Sequence, residues 1–291
     1  MKYEGPIYRP PSEAKSLILQ ITVGCSHNRC TFCPSYKMKR FRIKGFDEVK
    51  EDIDEARSLY GPLIRRVFLA DGDALIVPQA RLREILVYLR EKFPWLERVG
   101  IYANAKGVLK KGVEDLVELR KLGLGIIYLG VESGDQEVLD RVRKGTTVEK
   151  LLRAGRMIKE AGIKLSVTVL LGIGGREGSR RHAIATGRLL TEMKPDYVGA
   201  LTLLIVPGTP LYEEYMRGEF EMPSPFELIE ELRLMIAHTE MEGLFFSNHA
   251  SNYLPVKARL PHEKGHVLRL IDEVLSRRDP SLLRPEGYRA L

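Results

Sequence analysis

The 291-residue sequence predicts an α/β fold: a partial TIM-like (β/α)6 barrel with mostly parallel strands and a helical C-terminal elaboration. Three observations predict it. Short β-branched apolar runs recur along the chain, and segments of helical period fill the gaps between them. Successive strands lie roughly thirty to forty residues apart, too far for hairpins, so crossover helices and parallel pairing are required.

The first strand is read in the apolar run from Leu17 to Gly24, and 46–60 reads as an amphipathic helix with Val49, Ile53, Ala56 and Leu59 at helical spacing. Further strands are expected at 66–70, 98–103, 125–131, 164–171 and 197–206, with another at 243–247. Helices are expected at 78–92, 112–122, 137–143, 148–161, 176–192 and 225–242. Pro78 suits a helix start, and Gly123 and Gly162 stand where helices should stop. No repeat, low-complexity tract or long linker divides the chain. Residues 1–218 are expected to form the barrel core. Residues 219–291, with Pro223, Pro225, Pro255, Pro261, Pro280 and Pro285, should form an elaboration packed on it rather than an independent domain.

Hydrophobic residues make up 44% and charged residues 29% of the chain, enough for a large core under a soluble surface. No apolar run reaches the roughly 20 residues of a membrane span. The N-terminus lacks an apolar signal segment, so a cytoplasmic location is expected. The net charge of +7 suits an anionic small molecule, a lipid headgroup or RNA as substrate; DNA is not predicted. Basic residues are scattered among acidic ones, which equally fits a surface rich in Lys, Arg and Glu of the thermophile kind.

All three cysteines fall in the segment Cys25-Ser26-His27-Asn28-Arg29-Cys30-Thr31-Phe32-Cys33. An odd number packed this tightly is no disulfide framework. Three thiolates on one loop can converge on a metal centre. A structural zinc site wants a fourth ligand, which only His27 could supply by folding back within the loop. On a cubane cluster, three thiolates leave one iron open for a substrate or cofactor. Polar residues gather at the predicted strand ends: Asp71-Gly72-Asp73, Asn104, Glu132-Ser133-Gly134, Gly172-Ile173-Gly174-Gly175, Pro207-Gly208-Thr209-Pro210, and Ser247 to Asn252. Each alone is ordinary turn chemistry. Their shared position at the carboxyl ends of strands, where barrel enzymes keep their chemistry, makes them the candidate site.

With these residues in view, the chain resembles the radical S-adenosylmethionine (AdoMet) superfamily over Leu17 to Tyr212. It is most similar to the branch holding oxygen-independent coproporphyrinogen oxidases, methylthiotransferases and elongator-like enzymes. The resemblance implies that Cys25, Cys30 and Cys33 ligate an oxygen-sensitive 4Fe–4S cluster, with Phe32 beside the last cysteine. Asp71-Gly72-Asp73 stands where the family has Gly-Gly-Glu and would meet the AdoMet amino group. Glu132 and Ser133 would contact its ribose or amino-acid portion, and the backbone of Gly172 and Gly174 its adenine. Asn104, ending strand three, is placed with this cofactor-binding set and could also face substrate. The implied activity is reductive cleavage of AdoMet to a 5′-deoxyadenosyl radical that abstracts hydrogen from an unidentified substrate, with a ferredoxin- or flavodoxin-like electron donor.

Two features depart from the family pattern. Four residues, not three, separate Cys25 from Cys30, an insertion a loop tolerates. Asp73 is one methylene shorter than the family's glutamate. No cysteine lies outside the loop, so neither an auxiliary cysteine-bound cluster nor a methyl-carrying cysteine is expected. A cobalamin domain ahead of the loop is not expected either. The segments Tyr8 to Ala14 and Ser247 to Asn252 are similar to those of an unassigned subfamily.

Candidate catalytic residues are Asn248, His249, Ser251 and Asn252, with Tyr36, Lys37 and Arg40 as further substrate-facing groups. Arg143 or Lys144 could bind the AdoMet carboxylate or simply end a helix. His182 and His238 are expected to be surface or core fillers. The rival to an enzyme is a noncatalytic iron–sulfur or zinc-binding sensor or scaffold.

Overall fold

The computed structural model describes residues 1–290. Its strands, in chain order, are β1 (Leu17–Gln20), β2 (Thr22–Val23), β3 (Arg42–Ile43), β4 (Arg66–Ala70), β5 (Arg98–Ala103), β6 (Leu124–Glu132), β7 (Lys164–Leu171), β8 (Tyr197–Thr202), β9 (Gly243–Phe246) and β10 (Lys257–Leu260). The α-helices are α1 (Phe46–Tyr60), α2 (Gln79–Lys92), α3 (Ala105–Leu109), α4 (Val113–Lys121), α5 (Gln136–Arg141), α6 (Val148–Glu160), α7 (Gly175–Met193), α8 (Pro210–Met216), α9 (Pro225–Ala237) and α10 (Lys264–Arg277). The α/β class and the mostly parallel eight-stranded sheet agree with the sequence expectation.

The chain falls into two compact units. In the first, formed by Met1–Asn28, Ser35–Leu129 and Arg153–Leu165, β1, β4, β5 and β6 pair in parallel in that order. The register Ile18↔Phe68↔Gly100↔Ile126 puts one face of each strand on a common row. On that face Phe68, Tyr102 and Tyr128 meet edge-on, with ring centroids 4.8 to 6.2 Å apart. Glu13, fully buried, accepts from the Tyr128 and Ser16 hydroxyls and pairs with Arg98. This staples the Tyr8 to Ala14 segment to β5 and β6. Gly100 is required there: a Cβ would stand 3.2 Å from both Glu13 Oε1 and the Phe68 ring.

The second unit comprises Arg29–Pro34, Gly130–Leu152 and Ser166–Leu291. In it β7, β8 and β9 pair in parallel, and β10 adds an antiparallel edge. Helix α9 begins with a capping box, Ser224 and Glu227 each taking the other's backbone N–H, and packs on α7 and α10. Gly187 permits the close approach of α7 and α9, since a Cβ there would lie 2.7 Å from the Met235 carbonyl.

Three expectations need adjusting. The strand at 197–206 stops at Thr202, because its neighbour β7 ends at Leu171 and the ladder has no further partner. Leu203 N–H makes one last bond to Leu171 O, and Pro207 and Gly208 then turn the chain. The helix at 225–242 ends at Ala237, where Thr239 bends its hydroxyl back to the Met235 carbonyl. The C-terminal elaboration is not purely helical: β10, which the sequence reading lacks, closes the sheet edge. Gly24, Gly123 and Gly162 all have positive φ, as the turns after Val23, Leu122 and Ala161 demand. Among the described residues no helix is long and apolar enough to cross a membrane.

Candidate active site

In the first unit the polar residues predicted at the ends of strands one to three come together. The Asp71 carboxylate, fully buried, accepts from Gln20 Nε2 at 2.9 Å, Gly24 N–H at 3.0 Å and Lys39 Nζ at 2.9 Å, all through Oδ2. Its own N–H donates to Thr22 Oγ1 at 3.0 Å. Asp71 Oδ1 is buried without a partner. Asp73, also fully buried, accepts from Asn104 N–H at 3.2 Å, Asn104 Nδ2 at 2.7 Å and the Ser26 hydroxyl. Asn104 in turn caps α3 by accepting from Gly107 N–H at 2.8 Å. Between the two carboxylates Gly72 lies flat against Tyr36; a Cβ would stand 2.4 Å from the ring. The two aspartates therefore grip Gly24 and Ser26, the residues on either side of Cys25. Lys37 Nζ donates to Asn28 O at 3.0 Å, while Arg40 is exposed.

The remainder of the cysteine segment is anchored within the second unit. Thr31 N–H donates to Val142 O at 3.0 Å, and Thr31 O accepts from Leu211 N–H at 3.1 Å. Phe32 packs against two apolar clusters, Val138, Val142 and Ile173 on one side and Leu203, Leu211 and Phe220 on the other. Thr31 Oγ1, between Cys30 and Phe32, is buried without a partner. None of the three cysteines forms a disulfide, and all three are half-buried. Among the described residues no group of three or more His, Cys, Asp or Glu is placed to hold a metal ion as the side chains stand.

The end of β6 lies in this unit too. Glu132 takes a positive φ of 65° and pairs with Lys144 at 2.7 Å, both largely buried. Ser133 Oγ accepts from Asp135 N–H at 2.9 Å and faces His182 Nδ1 at 2.8 Å. Gly134 N–H donates to Thr186 Oγ1 at 2.8 Å; a Cβ at Gly134 would come within 2.5 Å of Ala185 O. At the end of β7, Gly172 has φ +83° and donates its N–H to Glu231 Oε1 at 2.7 Å. Gly174 is similarly confined, its Cβ position 3.2 Å from the Gly178 carbonyl.

A sequence model of the Radical SAM superfamily matches residues 19–186, more than half of the chain. The chain belongs to the radical SAM superfamily. A tRNA uridine(34) acetyltransferase of Methanocaldococcus jannaschii is 22% identical over 253 residues, covering 71% of this chain and 45% of that protein. The chain thus spans under half of that relative's length. An uncharacterized protein of the same organism is 25% identical over 231 residues, covering 75% of this chain and 68% of its own. Among solved structures, coproporphyrinogen III oxidase from Escherichia coli aligns with a TM-score of 0.57 at 18% identity, over 76% of this chain and 51% of that one. Methylornithine synthase aligns at 0.54 with 22% identity, over 88% and 68%. These likenesses show the fold, a TIM-barrel-like radical SAM architecture, and the chain is an enzyme of that superfamily.

The late polar segment of this radical SAM enzyme divides in two. Ser251 and Asn252 are buried and serve the backbone: Thr202 N–H donates to Ser251 Oγ at 3.2 Å, Thr202 Oγ1 to Asn252 Oδ1 at 2.7 Å, and Asn252 Nδ2 to Ala200 O at 2.9 Å. Asn248 is exposed and His249 half-buried. Arg284 and Arg289 hold the segment from outside, donating to the carbonyls of His249, Asn252 and Ser251. His249 Nδ1 accepts from Ser251 N–H at 3.1 Å, so its remaining proton sits on Nε2. Burial and the nearby Arg284 guanidinium hold its pKa below the ordinary imidazole value.

Two buried ionisable residues were not singled out by sequence. His182, expected as a filler, is fully buried in α7, and its Nε2 stands 3.5 Å from Oε1 of Glu231, fully buried in α9. Burial pushes the His182 pKa down to about 4, against the pull of the Leu170 carbonyl. Burial pushes Glu231 up to about 7, partly offset by the Ser179 hydroxyl and the Gly172 N–H. A signal was present in the pattern. Ser179, His182 and Thr186 recur at helical spacing beside the buried Ala183, Leu189 and Leu190, and Glu231 interrupts the buried run Leu228, Ile229 and Leu232. Polar groups on an apolar stripe must find partners there.

Proposed function

We propose that the chain is a radical SAM enzyme in which Cys25, Cys30 and Cys33 hold a 4Fe–4S cluster and the surrounding strand ends hold AdoMet. The residues present fit these groups in donor chemistry: three cysteines outside any disulfide, an unpartnered buried carboxylate oxygen at Asp71 and an unpartnered buried hydroxyl at Thr31. When bound and reduced, the cluster would supply an electron for reductive cleavage of AdoMet to a 5′-deoxyadenosyl radical, the species that would take hydrogen from the substrate. The observation that carries the reading is the pair of aspartate anchors on Gly24 and Ser26. They spend two buried carboxylates to fix the backbone on both sides of a half-buried cysteine. Phe32 shields the far end of the loop with apolar packing, keeping water away. Asp71 Oδ1 is the acceptor for a cationic amino group, and the Gly72 backbone offers a close approach. Glu132, held by Lys144, and Ser133 face the sugar or amino-acid portion.

For the substrate, His249 supplies an Nε2–H donor and Asn248 an exposed amide. The positive net charge favours an anionic small molecule, a lipid headgroup or RNA, and a ferredoxin- or flavodoxin-like protein supplies the electron. Anaerobic reconstitution with iron and sulfide tests the proposal. A brown protein is expected, forming 5′-deoxyadenosine and methionine from AdoMet with dithionite. Cys30→Ala is expected to lower that yield by at least about a hundredfold, since a lost ligand removes the cluster itself. A colourless chain that retains one zinc ion would overturn it in favour of a noncatalytic metal-binding scaffold.

A further inference from the structure

We propose that His182 and Glu231 are a pair of positioning residues that tie the Ser133–Gly134 turn and the Gly172 turn to one helix face, so that both backbone segments meet AdoMet as one preformed surface. This rests on the AdoMet-binding role given to those turns above.

The geometry comes from α7. Ser179, His182 and Thr186 recur at intervals of three and four residues, so they share one helix face. From that face Thr186 takes the Gly134 N–H, His182 Nδ1 meets Ser133 Oγ, and Ser179 donates to Glu231 Oε2. Glu231, reaching in from α9, takes the Gly172 N–H. His182 Nε2 and Glu231 Oε1 close the gap at 3.5 Å.

Ser133 Oγ accepts the Asp135 N–H and also meets His182 Nδ1. His182 Nε2 is buried without a hydrogen-bond partner, 3.5 Å from Glu231 Oε1. The two turns therefore meet through α7: Ser133 on His182, Gly134 on Thr186, and Gly172 on Glu231, which Ser179 holds. The other charges around it are paired: Asp135 with Arg181, and Arg176 with Glu221 and Glu227.

A core needing only volume would fill these positions with leucine, because a buried ionisable pair is a poor source of stability. Here both partners point at the two turns, and the turns have no slack. Gly134 presses on the Ala185 carbonyl, and the Gly172 Cβ position is 2.6 Å from Met222 Cε. Such support from behind is what a binding surface made of backbone requires.

The test uses the reconstituted full-length chain with three substitutions: His182→Asn, which keeps a polar atom near Nδ1 only; His182→Gln, which keeps one near Nε2 only; and Ser179→Ala, which loosens Glu231 without removing it. Iron content, melting temperature, the AdoMet Kd by equilibrium dialysis, and amide hydrogen exchange of peptides spanning 130–136 and 170–176 are measured. Both histidine variants are expected to keep the iron content; His182→Gln, which cuts the Ser133 contact, should weaken AdoMet about tenfold, the cost of one buried hydrogen bond of this class, and His182→Asn less. Each is also expected to speed exchange at both turns, including the one whose contact it preserves. Ser179→Ala should do the same to a lesser degree, which covers the case in which a histidine variant does not fold.

A lower melting temperature with an unchanged Kd would assign the pair to stability alone and overturn the inference. Exchange that quickens only at the turn whose contact was cut would overturn it as well. If the wild-type chain held a cluster but bound no AdoMet, the functional reading would fail, while coupled exchange would still establish the pairing of the two turns.

Discussion

The two units support their share of the strand ends by opposite means. In the first, carboxylates do the holding at the front: Asp71 gathers Gln20, Gly24 and Lys39, and Asp73 gathers Asn104 and Ser26. Each acid takes several donors, one of them a lysine, while Asp71 Oδ1 stays unpartnered. In the second, the turns are held from behind by a helix whose buried face carries Ser179, His182 and Thr186, and glycines admit contacts a Cβ would forbid. A short loop that carries a cysteine needs ties along its own length, and only side chains with several acceptor sites give them. A turn that offers backbone to a ligand needs its side-chain face closed off instead. The first arrangement should therefore be the costlier to cut, and the second, which holds His182 and Glu231, should titrate.

Cutting the first is the largest effect expected. Asp71→Asn leaves Lys39, with its side chain 4% exposed, without its counter-charge. Removing one partner of a buried pair costs about 3–5 kcal/mol. Urea unfolding of the full chain under argon measures it, and the variant should also lose the cluster on gel filtration. A loss below about 1 kcal/mol, the scale of an exposed pair, would show that Lys39 finds water and that the anchor is not buried in solution.

The second arrangement should show itself in pH dependence. Glu231 is raised from 4.5 to about 7 in the folded chain, so folding binds a proton. That contribution is full below pH 4.5 and is lost as pH rises through about 7. His182 is lowered from 6.5 to about 4, so its contribution is full above pH 6.5 and is lost as pH falls through about 4. Below pH 6.5 the two contributions offset each other, so the Glu231 decline stands alone from pH 6.5 to pH 8, by about 1 kcal/mol. Glu231→Gln should flatten that decline while leaving the acid-side loss from His182 in place. Unfolding curves at the two pH values separate the outcomes: an equal decline in the variant would mean another group titrates.

Much of this architecture was legible in the residues, and the failures share one cause. The strands at 66–70, 98–103 and 164–171 and the helix at 46–60 fall where the periodicity puts them, because each is a complete amphipathic or buried segment bounded by turn formers. The clustering of Asp71, Gly72, Asp73 and Asn104 followed from their shared position at strand ends. β10 was missed because Lys257-Ala258-Arg259-Leu260 is a short, charged edge strand whose pairing with β9 is fixed by neighbours and not by its own composition. Glu13 and Glu231 were missed for the same reason, and His182, read as a surface or core filler, was not joined to its partners. A buried charged residue reads as a surface residue until its partners, 49 to 115 positions away, are known. In the late segment Ser247 to Asn252, Ser251 and Asn252 spend their polar groups on the end of β8, contacts that their own composition does not disclose.

That last segment gives the smallest effect and separates holding from chemistry within the second unit. Arg289 is 5% exposed at its side chain, lies 4.1 Å over the Tyr253 ring, and donates to the Ser251 carbonyl at 2.7 Å. Its carboxylate partner Glu286 is 69% exposed, so the ion pair adds little. Arg289→Ala should therefore cost only about 1–2 kcal/mol, from the ring contact and one buried carbonyl left unpaired. The loss should be local. Limited proteolysis should cut near Tyr253 sooner, while the Glu231-dependent pH decline and the loop anchored by Asp71 stay as they were. A matching loss of the Glu231-dependent decline would mean that the segment behind Thr202 and the helix face behind Gly172 unfold together, and that the second unit holds its turns through one cooperative core rather than turn by turn.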